Sequence, residues 1–182
     1  LLSGQGSPIL AASIHRHHHL YSDTERDVHS IRDSLFNVFF FSLKGSAYFV
    51  KEKRVKFSNE LLKDKTLRFI HKYYAKLWAL IIFVFALINF KFLVFVILAT
   101  IGWNAVYTNF CRTFLAHTKI PGSYRTFDTS DNSYNNMFLQ IICLGEGLHN
   151  NHHMYPTRLD QAVLLSEFDP AAFVIEKFLA DK

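Results

Sequence analysis

Cysteine is scarce: Cys111 and Cys143 are the only two in 182 residues, and they lack the close spacing that a zinc ribbon or a CxxC redox pair needs. Both read as ordinary buried thiols. An initiating Met is also missing, as is a basic-then-apolar leader ending in a small-residue cleavage site, so no signal peptide is expected. The opening Leu1-Leu2-Ser3-Gly4 reads as cut from something longer. No internal repeat and no low-complexity segment is present. Acid is in deficit, with 15 Asp and Glu against 20 Lys and Arg. That balance suits nucleic acid, an anionic membrane surface or an acidic substrate, and position has to decide among them.

Half of the chain is apolar and phenylalanine alone supplies 19 residues, a heavy load for a soluble domain of this size. Residues 1–13 carry no charge and read as the end of a preceding membrane helix. Residues 14–73 form a polar, histidine-rich segment with an interfacial Phe cluster (Phe36, Phe39, Phe40, Phe41, Phe49) and then a basic run from Lys51 to Lys76. The longest apolar tract follows, Leu77 to Cys111. As one helix it would extend about 50 Å, against about 30 Å of hydrocarbon, so it is expected to fold back at Asn89-Phe90-Lys91 as a transmembrane hairpin over 74–111. Arg112, Lys119 and Arg125 after the hairpin, with the basic run before it, outweigh the lone Lys91 at its turn. The positive-inside rule then puts both flanks in the cytosol. Residues 112–182 complete a cytosolic cap, with an amphipathic helical tail over 159–182 interrupted at Pro170. The alternative is a buried helical hairpin of a soluble protein. Nucleic-acid binding is disfavoured, because the basic residues flank the hairpin and do not interleave with an aromatic platform.

Most of the ten histidines fall in two clusters. His15-Arg16-His17-His18-His19 and His149-Asn150-Asn151-His152-His153 both place imidazoles at i, i+3 and i+4, a spacing expected to converge three side chains on one point of a helix. An even number of crossings between the clusters returns them to one membrane face. Imidazole is a neutral ligand for zinc, copper, iron and nickel, and two copies of one spacing on a shared face point to metal. A purification tag would not contain Arg16 or lead into Tyr21-Ser22-Asp23-Thr24-Glu25. Metal-bound imidazoles pass their second N–H to a carboxylate or carbonyl, and Asp23, Glu25 and Glu146 lie near enough in sequence, capping or solvation being the ordinary alternative. Glu146-Gly147-Leu148-His149 also spells E-x-x-H, but the second such motif and further Glu residues of a ferritin-like site are not found.

Four ordered stretches resemble the membrane acyl desaturases of the acyl-CoA delta-9 type: HRHHHLYSDTERDVHS (His15 to Ser30), LLKDKTLRFIHKYY (Leu61 to Tyr74), YRTFDTSDNSYNN (Tyr124 to Asn136) and GEGLHNNHHMYP (Gly145 to Pro156). The resemblance implies an all-α integral membrane fold, the C-terminal part of a four-helix membrane unit whose cytosolic cap holds two irons. It implies His15, His18, His19, His149, His152 and His153 as ligands, with His117 as a further one. His17 takes a variable position, and His29 and His71 match without being ligands. Two departures stand out. The family's first box, H-x-x-x-x-H, is absent, so the isolated fragment is expected to be inactive. Four residues before His117, where the family has an Asn acting through water, Thr113 stands, with Asn109 one turn further back.

Removing hydrogen from an unactivated methylene needs an oxidant that redox-inert zinc does not supply. The family's two irons use O2 and two external electrons to place a cis double bond in a long acyl-CoA, expected here at delta-9. Trp103, Tyr107 and Phe110 are candidates to line the acyl tunnel, with packing against lipid as the ordinary alternative. The basic flank suits the acidic head of acyl-CoA or an electron donor such as a b-type cytochrome or ferredoxin, and an anionic bilayer alone would also account for it. The rivals are a membrane hydroxylase or lipid-linked acyl desaturase of the same chemistry, and a non-catalytic membrane protein that binds zinc or copper.

Overall fold

The structure is a computed structural model that describes residues 6–27 and 56–180. The Phe cluster at 36–49, His29 and the start of the basic run lie outside the described residues. The described part is helical, with two isolated β-bridges, Tyr124 with Asn135 and Asn135 with Leu148, and no longer strand among these residues.

Helix α1, Pro8–Tyr21, opens where Ser7 caps it: the Ser7 hydroxyl oxygen accepts from the Leu10 N–H at 3.3 Å and Pro8 fills the first turn, where a missing N–H is harmless. The helix therefore spans both the end of the apolar 1–13 segment and the first histidine cluster. The Ser7 hydroxyl donates in turn to His71 Nδ1 at 2.6 Å, which fastens α1 to the next long helix. Two 3-10 turns over Lys56–Lys63, kinked at Ser58, pack along α1. Ser58 bonds to Ser13 and donates to the Ile9 carbonyl at 2.9 Å, while Arg16 reaches Glu60 and the Phe57 carbonyl.

Helix α2, Lys65–Ile88, begins at Lys65 and not near Tyr74, because Asp64 takes the N–H groups of Thr66 and Leu67 at 2.8 and 2.9 Å. At 24 residues it is about 36 Å long, enough to cross a bilayer. None of it is buried within the chain: Phe83 is 61 % exposed and Leu87 72 %. Nothing among the described residues covers this apolar surface. Asn89 ends α2 with an extended backbone and uses its side-chain oxygen to cap helix α3, Phe90–Trp103, through the Phe92 N–H at 3.0 Å. The break is thus where the polar Asn89-Phe90-Lys91 interrupts the apolar tract. Among the described residues α2 is the one helix long and apolar enough to cross a membrane; the apolar stretch Phe90–Thr100 of α3 is shorter. Winding continues past α3 as a π-helical stretch, Asn104–Phe114, and a 3-10 turn, Leu115–His117.

The rest of the chain is a cradle of buried polar groups. Helix α4, Met137–Ile142, is capped by Asn136, and the Gln140 amide oxygen accepts the N–H groups of Gly147 and Leu148 at 2.7 and 2.9 Å. This positions helix α5, His149–Met154, which carries the second histidine cluster. Asn135 and Asn151 exchange hydrogen bonds at 2.7 and 3.1 Å, and Asn150 accepts the N–H groups of Thr126 and Phe127. Asn135, Asn150, Asn151 and Gln140 are all essentially inaccessible to water. Directional networks of this kind specify one geometry where apolar packing would tolerate several, even with the Gln140 amide nitrogen left unpaired among the described residues.

The tail departs from expectation. Residues 159–169 are not helical, and helix α6 spans Pro170–Val174, followed by a π-helical turn over Ile175–Leu179. Side-chain acceptors compete with helix here: Asp160 takes the Ala162 N–H, Glu167 those of Val163 and Leu164, and Asp169 that of Gln161 before capping α6. Glu167 also accepts from Asn151 at 2.9 Å and from the Tyr124 hydroxyl at 2.5 Å, tying the tail to α5.

Two consequences can be measured on the purified protein in detergent. A methyl group at Gly147 would stand 2.0 Å from the Gln140 nitrogen and 2.6 Å from the Asn136 carbonyl, backbone atoms with nowhere to go. Gly147→Ala is expected to lower stability by about 3 kcal/mol in thermal or denaturant unfolding, and unchanged unfolding would refute the packing described. Burial raises the Glu167 carboxyl, but the Leu164 N–H, the Tyr124 hydroxyl, the Val163 N–H and the Asn151 amide outweigh it and leave its pKa below the usual value. Because the folded value is the lower one, Glu167 stabilises the fold above about pH 4.3 and loses that contribution as pH falls through the folded value. Glu167→Gln is expected to cost about 1 to 3 kcal/mol at pH 7 and to flatten the stability profile on the acid side.

Candidate metal centre

Helical geometry decides how the two histidine clusters are used. At about 100° per residue, His15 and His19 stand about 40° apart around α1, while His18 lies about 60° to the other side of His15. The three side chains therefore do not converge on one point, as the spacing alone led us to expect. His15 and His19 join His152 from α5 in one group; His18 joins His117, His149 and His153 in a second. Each cluster lends its i, i+4 pair to one group and its i+3 residue to the other. Within each group the ligand-capable atoms all lie within 4.8 Å of one another. The two groups abut, with the rings of His19 and His153 4.5 Å apart between centroids.

In the three-histidine group the Nε2 atoms of His15, His19 and His152 form a triangle with sides of 3.0, 3.1 and 2.9 Å. In the four-histidine group His149 Nε2 lies 3.0 Å from His117 Nε2 and 3.1 Å from His153 Nε2. A neutral imidazole nitrogen has one in-plane direction, for either a proton or a lone pair. Three such nitrogens aimed at one another cannot all be paired by hydrogen bonds, so lone pairs are left facing lone pairs unless a cation joins them. Three nitrogens about 2.1 Å from one ion stand about 3.0 Å apart at right angles and about 3.4 Å apart at tetrahedral angles. The observed separations are of the size expected between ligands of one ion. The seven imidazoles could therefore hold two metal ions.

Electrostatics keep the nitrogens ready. Burial, then the charge of Arg112 and the neighbouring imidazoles, holds His15 well below the ordinary histidine pKa, and burial with His153 and His117 does the same for His149. Burial and the facing imidazoles lower His19 to about 2 and His152 to about 3. His153 falls to about 4, burial prevailing over the opposing hydrogen bond to Asp131. These groups are neutral at physiological pH, the state in which imidazole binds metal.

Three carboxylates fix the tautomers of the four-histidine group. His18 Nδ1–H donates to both oxygens of Asp27 at 3.0 Å, His117 Nδ1–H to Asp23 at 3.0 Å and His153 Nδ1–H to Asp131 at 2.9 Å. Each proton on Nδ1 leaves Nε2 with its lone pair directed inward. Burial raises the Asp131 carboxyl, but the bonds from His153 and Ser133 hold it far below the usual carboxylate range. Asp23 is also kept low, by the His117 and Asn132 bonds against the same effect of burial. Asp23 adopts φ 59°, a left-handed turn that Asp tolerates, and from there it reaches His117 and not the α1 cluster beside it in sequence.

The remaining expectations fare unevenly. Glu146 pairs loosely with Arg112 at 3.9 Å, and no bond to a histidine is found for it among the described residues. Glu25 is exposed. The Asn109 side chain lies outside the described residues, and Thr113 is buried where it lines a small gap with His15, His18, Arg112 and His149. Trp103 stacks on Tyr107 at 4.2 Å, the Tyr107 hydroxyl donates to the Cys143 carbonyl, and Phe110 stacks on Phe114 at 5.6 Å. His17 is packed between Tyr21 and Phe57, away from both groups, and Cys111 and Cys143 are free thiols. Sequence reasoning missed Asp27 and Asp131. Asp27 closes a turn after α1, and Asp131 sits in a loop whose place beside α5 is set by Asn150, so neither stands at a helical interval from the histidine it serves.

Comparison with known proteins places the chain in a family. An icosanoyl-CoA 5-desaturase of Limnanthes douglasii is 32 % identical over 98 % of this chain and 50 % of its own length. An acyl-CoA 5-desaturase of Anemone leveillei is 28 % identical over 94 % of this chain and 53 % of its own. An sn-1 stearoyl-lipid 9-desaturase of Anabaena variabilis is 30 % identical over 85 % of this chain and 55 % of its own. The chain thus spans about half the length of these relatives. The model of the fatty acid desaturase family matches residues 1–163, a stretch that contains every histidine of both groups, and the chain belongs to that family.

Proposed function

We propose that this chain is the metal-holding part of an oxygen-dependent, two-iron acyl desaturase that introduces a cis double bond, at the delta-9 position, into a long acyl chain carried on CoA. The observation that carries the reading is the pair of abutting imidazole groups whose Nε2 lone pairs converge. His18, His117, His149 and His153 would hold one iron, and His15, His19 and His152 the other. Iron bound there would supply, with O2, two external electrons and two protons, the oxidising power to take two hydrogens from adjacent methylenes, both oxygen atoms leaving as water for each double bond.

The protein's own residues do the rest. Asp23, Asp27 and Asp131 orient three of the imidazoles and keep their protons on the outer nitrogen. The buried amides around α5 hold the second cluster rigid and dry. Helix α2 crosses the bilayer, and α3 with its π-helical extension returns the chain to the same face, which the basic flanks assign to the cytosol. Trp103, Tyr107 and Phe110 then stand along the returning segment, where an acyl chain entering from the membrane would lie. The basic residues from Lys63 to Lys76 would receive the phosphates of acyl-CoA or an acidic electron donor, a b-type cytochrome or a ferredoxin. The stearoyl-lipid 9-desaturase among the relatives favours a second reading, in which the acyl chain is bound to a membrane lipid.

The test is expression of the open reading frame, extended upstream from Leu1, in a host deficient in desaturase, with total fatty acids profiled by gas chromatography. Monounsaturated chains with the double bond at carbon 9 are expected. His152→Ala and His153→Ala should each reduce them by about 100-fold or more, at least as much as losing an outer-shell partner of a ligand. Bonds at carbon 5 would replace the delta-9 assignment and keep the desaturase. Hydroxylated chains would reassign the enzyme to a hydroxylase, and folded protein that carries zinc and no iron would make it a binding module. Supplying the purified enzyme with acyl-CoA or with acyl-lipid separates the two carriers.

A further inference from the structure

We propose that helix α4, Met137–Ile142, lies in the membrane interface, with Phe138, Ile141 and Ile142 in lipid and its opposite face on the second histidine cluster. The proposal rests on the membrane reading of α2 and α3 above. Its basis is a helix whose polarity is inside out. At about 100° per residue, Phe138, Ile141 and Ile142 share one side of α4, and Leu139, Gln140 and the capping Cys143 share the other. The side turned into the protein carries the polar group: Gln140 is inaccessible to water, with Leu139 and Cys143 buried beside it. The side turned outward is wholly apolar. Phe138 is 70 % exposed, Ile141 66 % and Ile142 56 %, and Leu144 extends the patch past the helix end. No charged residue occurs from Asn132 to Gly145.

Large apolar side chains clustered on a surface mark a contact, because water gains nothing from them. What α4 is joined to identifies the occupant. Tyr107 donates its hydroxyl to the Cys143 carbonyl, and Trp103 stacks on Tyr107 with ring centroids 4.2 Å apart. Both aromatics lie just past the apolar stretch Phe90–Thr100 of α3. That is the level, between hydrocarbon and water, where Trp and Tyr gather in membrane proteins. Hydrogen-bonded at that level, α4 continues the apolar surface of α3 sideways. It is an interfacial helix with the protein in the place of water on its polar side, and an uncharged apolar face fits a bilayer. On the inner side Gln140 accepts the N–H groups of Gly147 and Leu148, at 2.7 and 2.9 Å, where α5 begins. Lipid contact and histidine helix are thus two sides of one short element, about one helix diameter or 10 Å apart. The depth of α4 in the interface fixes the height of His149, His152 and His153 above the hydrocarbon.

The experiment uses the full-length protein in phosphatidylcholine liposomes, with a nitroxide label on Phe138→Cys, Ile141→Cys or Ile142→Cys and the other cysteines replaced by alanine. Power saturation of the label's spectrum reads its collisions with O2, which concentrates in hydrocarbon, and with chromium(III) oxalate, which stays in water. Collisions with O2 are expected to exceed those with the oxalate at all three positions. An excess of oxalate collisions would put the face in water, and few collisions with either would mean that protein covers it, an upstream segment or a second copy; both results overturn the proposal. If the cysteine-free protein fails to fold by circular dichroism, Phe138→Trp decides: brominated lipid should quench the emission that it adds to the parent protein, and added emission that stays unquenched overturns the proposal. Labels on Leu80→Cys and Phe83→Cys of α2 separate the two readings. An excess of oxalate collisions there would overturn the membrane reading itself, and its absence leaves that reading standing whatever α4 does.

Discussion

Lone pairs that face one another in a dry space are a debt that protein atoms alone do not settle here. The Nε2 triangle of His15, His19 and His152 leaves no arrangement of protons that pairs all three nitrogens. Burial removes the alternative of protonating them, since a charged imidazole there would be desolvated and would repel its neighbours. A cation bound among them could join the lone pairs. The rest of the fold serves to hold the nitrogens against this repulsion, by two helices that meet and by a polar network that fixes where they meet.

That explains why the interior is unusual. An interior of ordinary apolar packing could shift by fractions of an ångström at little cost. Here the α5 helix is pinned by Asn135, Asn150, Asn151 and Gln140, each with directional bonds, and by Glu167 from the tail. Helix α1 is held by equally directional contacts, Ser58 to the Ile9 carbonyl and Ser7 to His71. Because both helices are fixed by hydrogen bonds and not by shape alone, the histidines they carry meet in one register. The same network keeps the outer nitrogens oriented, since Asp131 is held by Ser133 in the loop that Asn150 secures.

Much of this was legible in the sequence, and the limits have physical causes. The i, i+3, i+4 spacing identified six of the seven clustered histidines, because ligand-bearing helices repeat their period in the chain. His117 came from resemblance, having no neighbouring histidine to mark it. The division of each cluster between two groups was not foreseen, although the 3.6-residue period contains it: only i and i+4 share a direction closely, and i+3 turns away. Asp64 caps the head of α2, so the helix extends several residues ahead of the apolar tract that the hydropathy marks. Glu146 was chosen as a histidine partner by nearness in sequence, whereas Asp27 and Asp131 do that work through loop conformation, which leaves no periodic trace. The helical tail failed for a related reason: Asp160, Glu167 and Asp169 satisfy backbone N–H groups more directly than the apolar periodicity could.

The relation between the apolar helices and the imidazole groups follows from the same constraint. The element delivering His117 leaves the exposed apolar tract and turns sharply to reach the other imidazoles. The π-helical stretch Asn104–Phe114 makes that passage. Its wider winding shifts side-chain directions relative to an α-helix, and Tyr107 within it binds the Cys143 carbonyl at the end of α4. Three more residues of 3-10 turn then bring His117 against His149. An uninterrupted α-helix from Phe90 would carry the chain onward along its axis. The change in winding is what joins the exposed apolar helices to the clustered imidazoles.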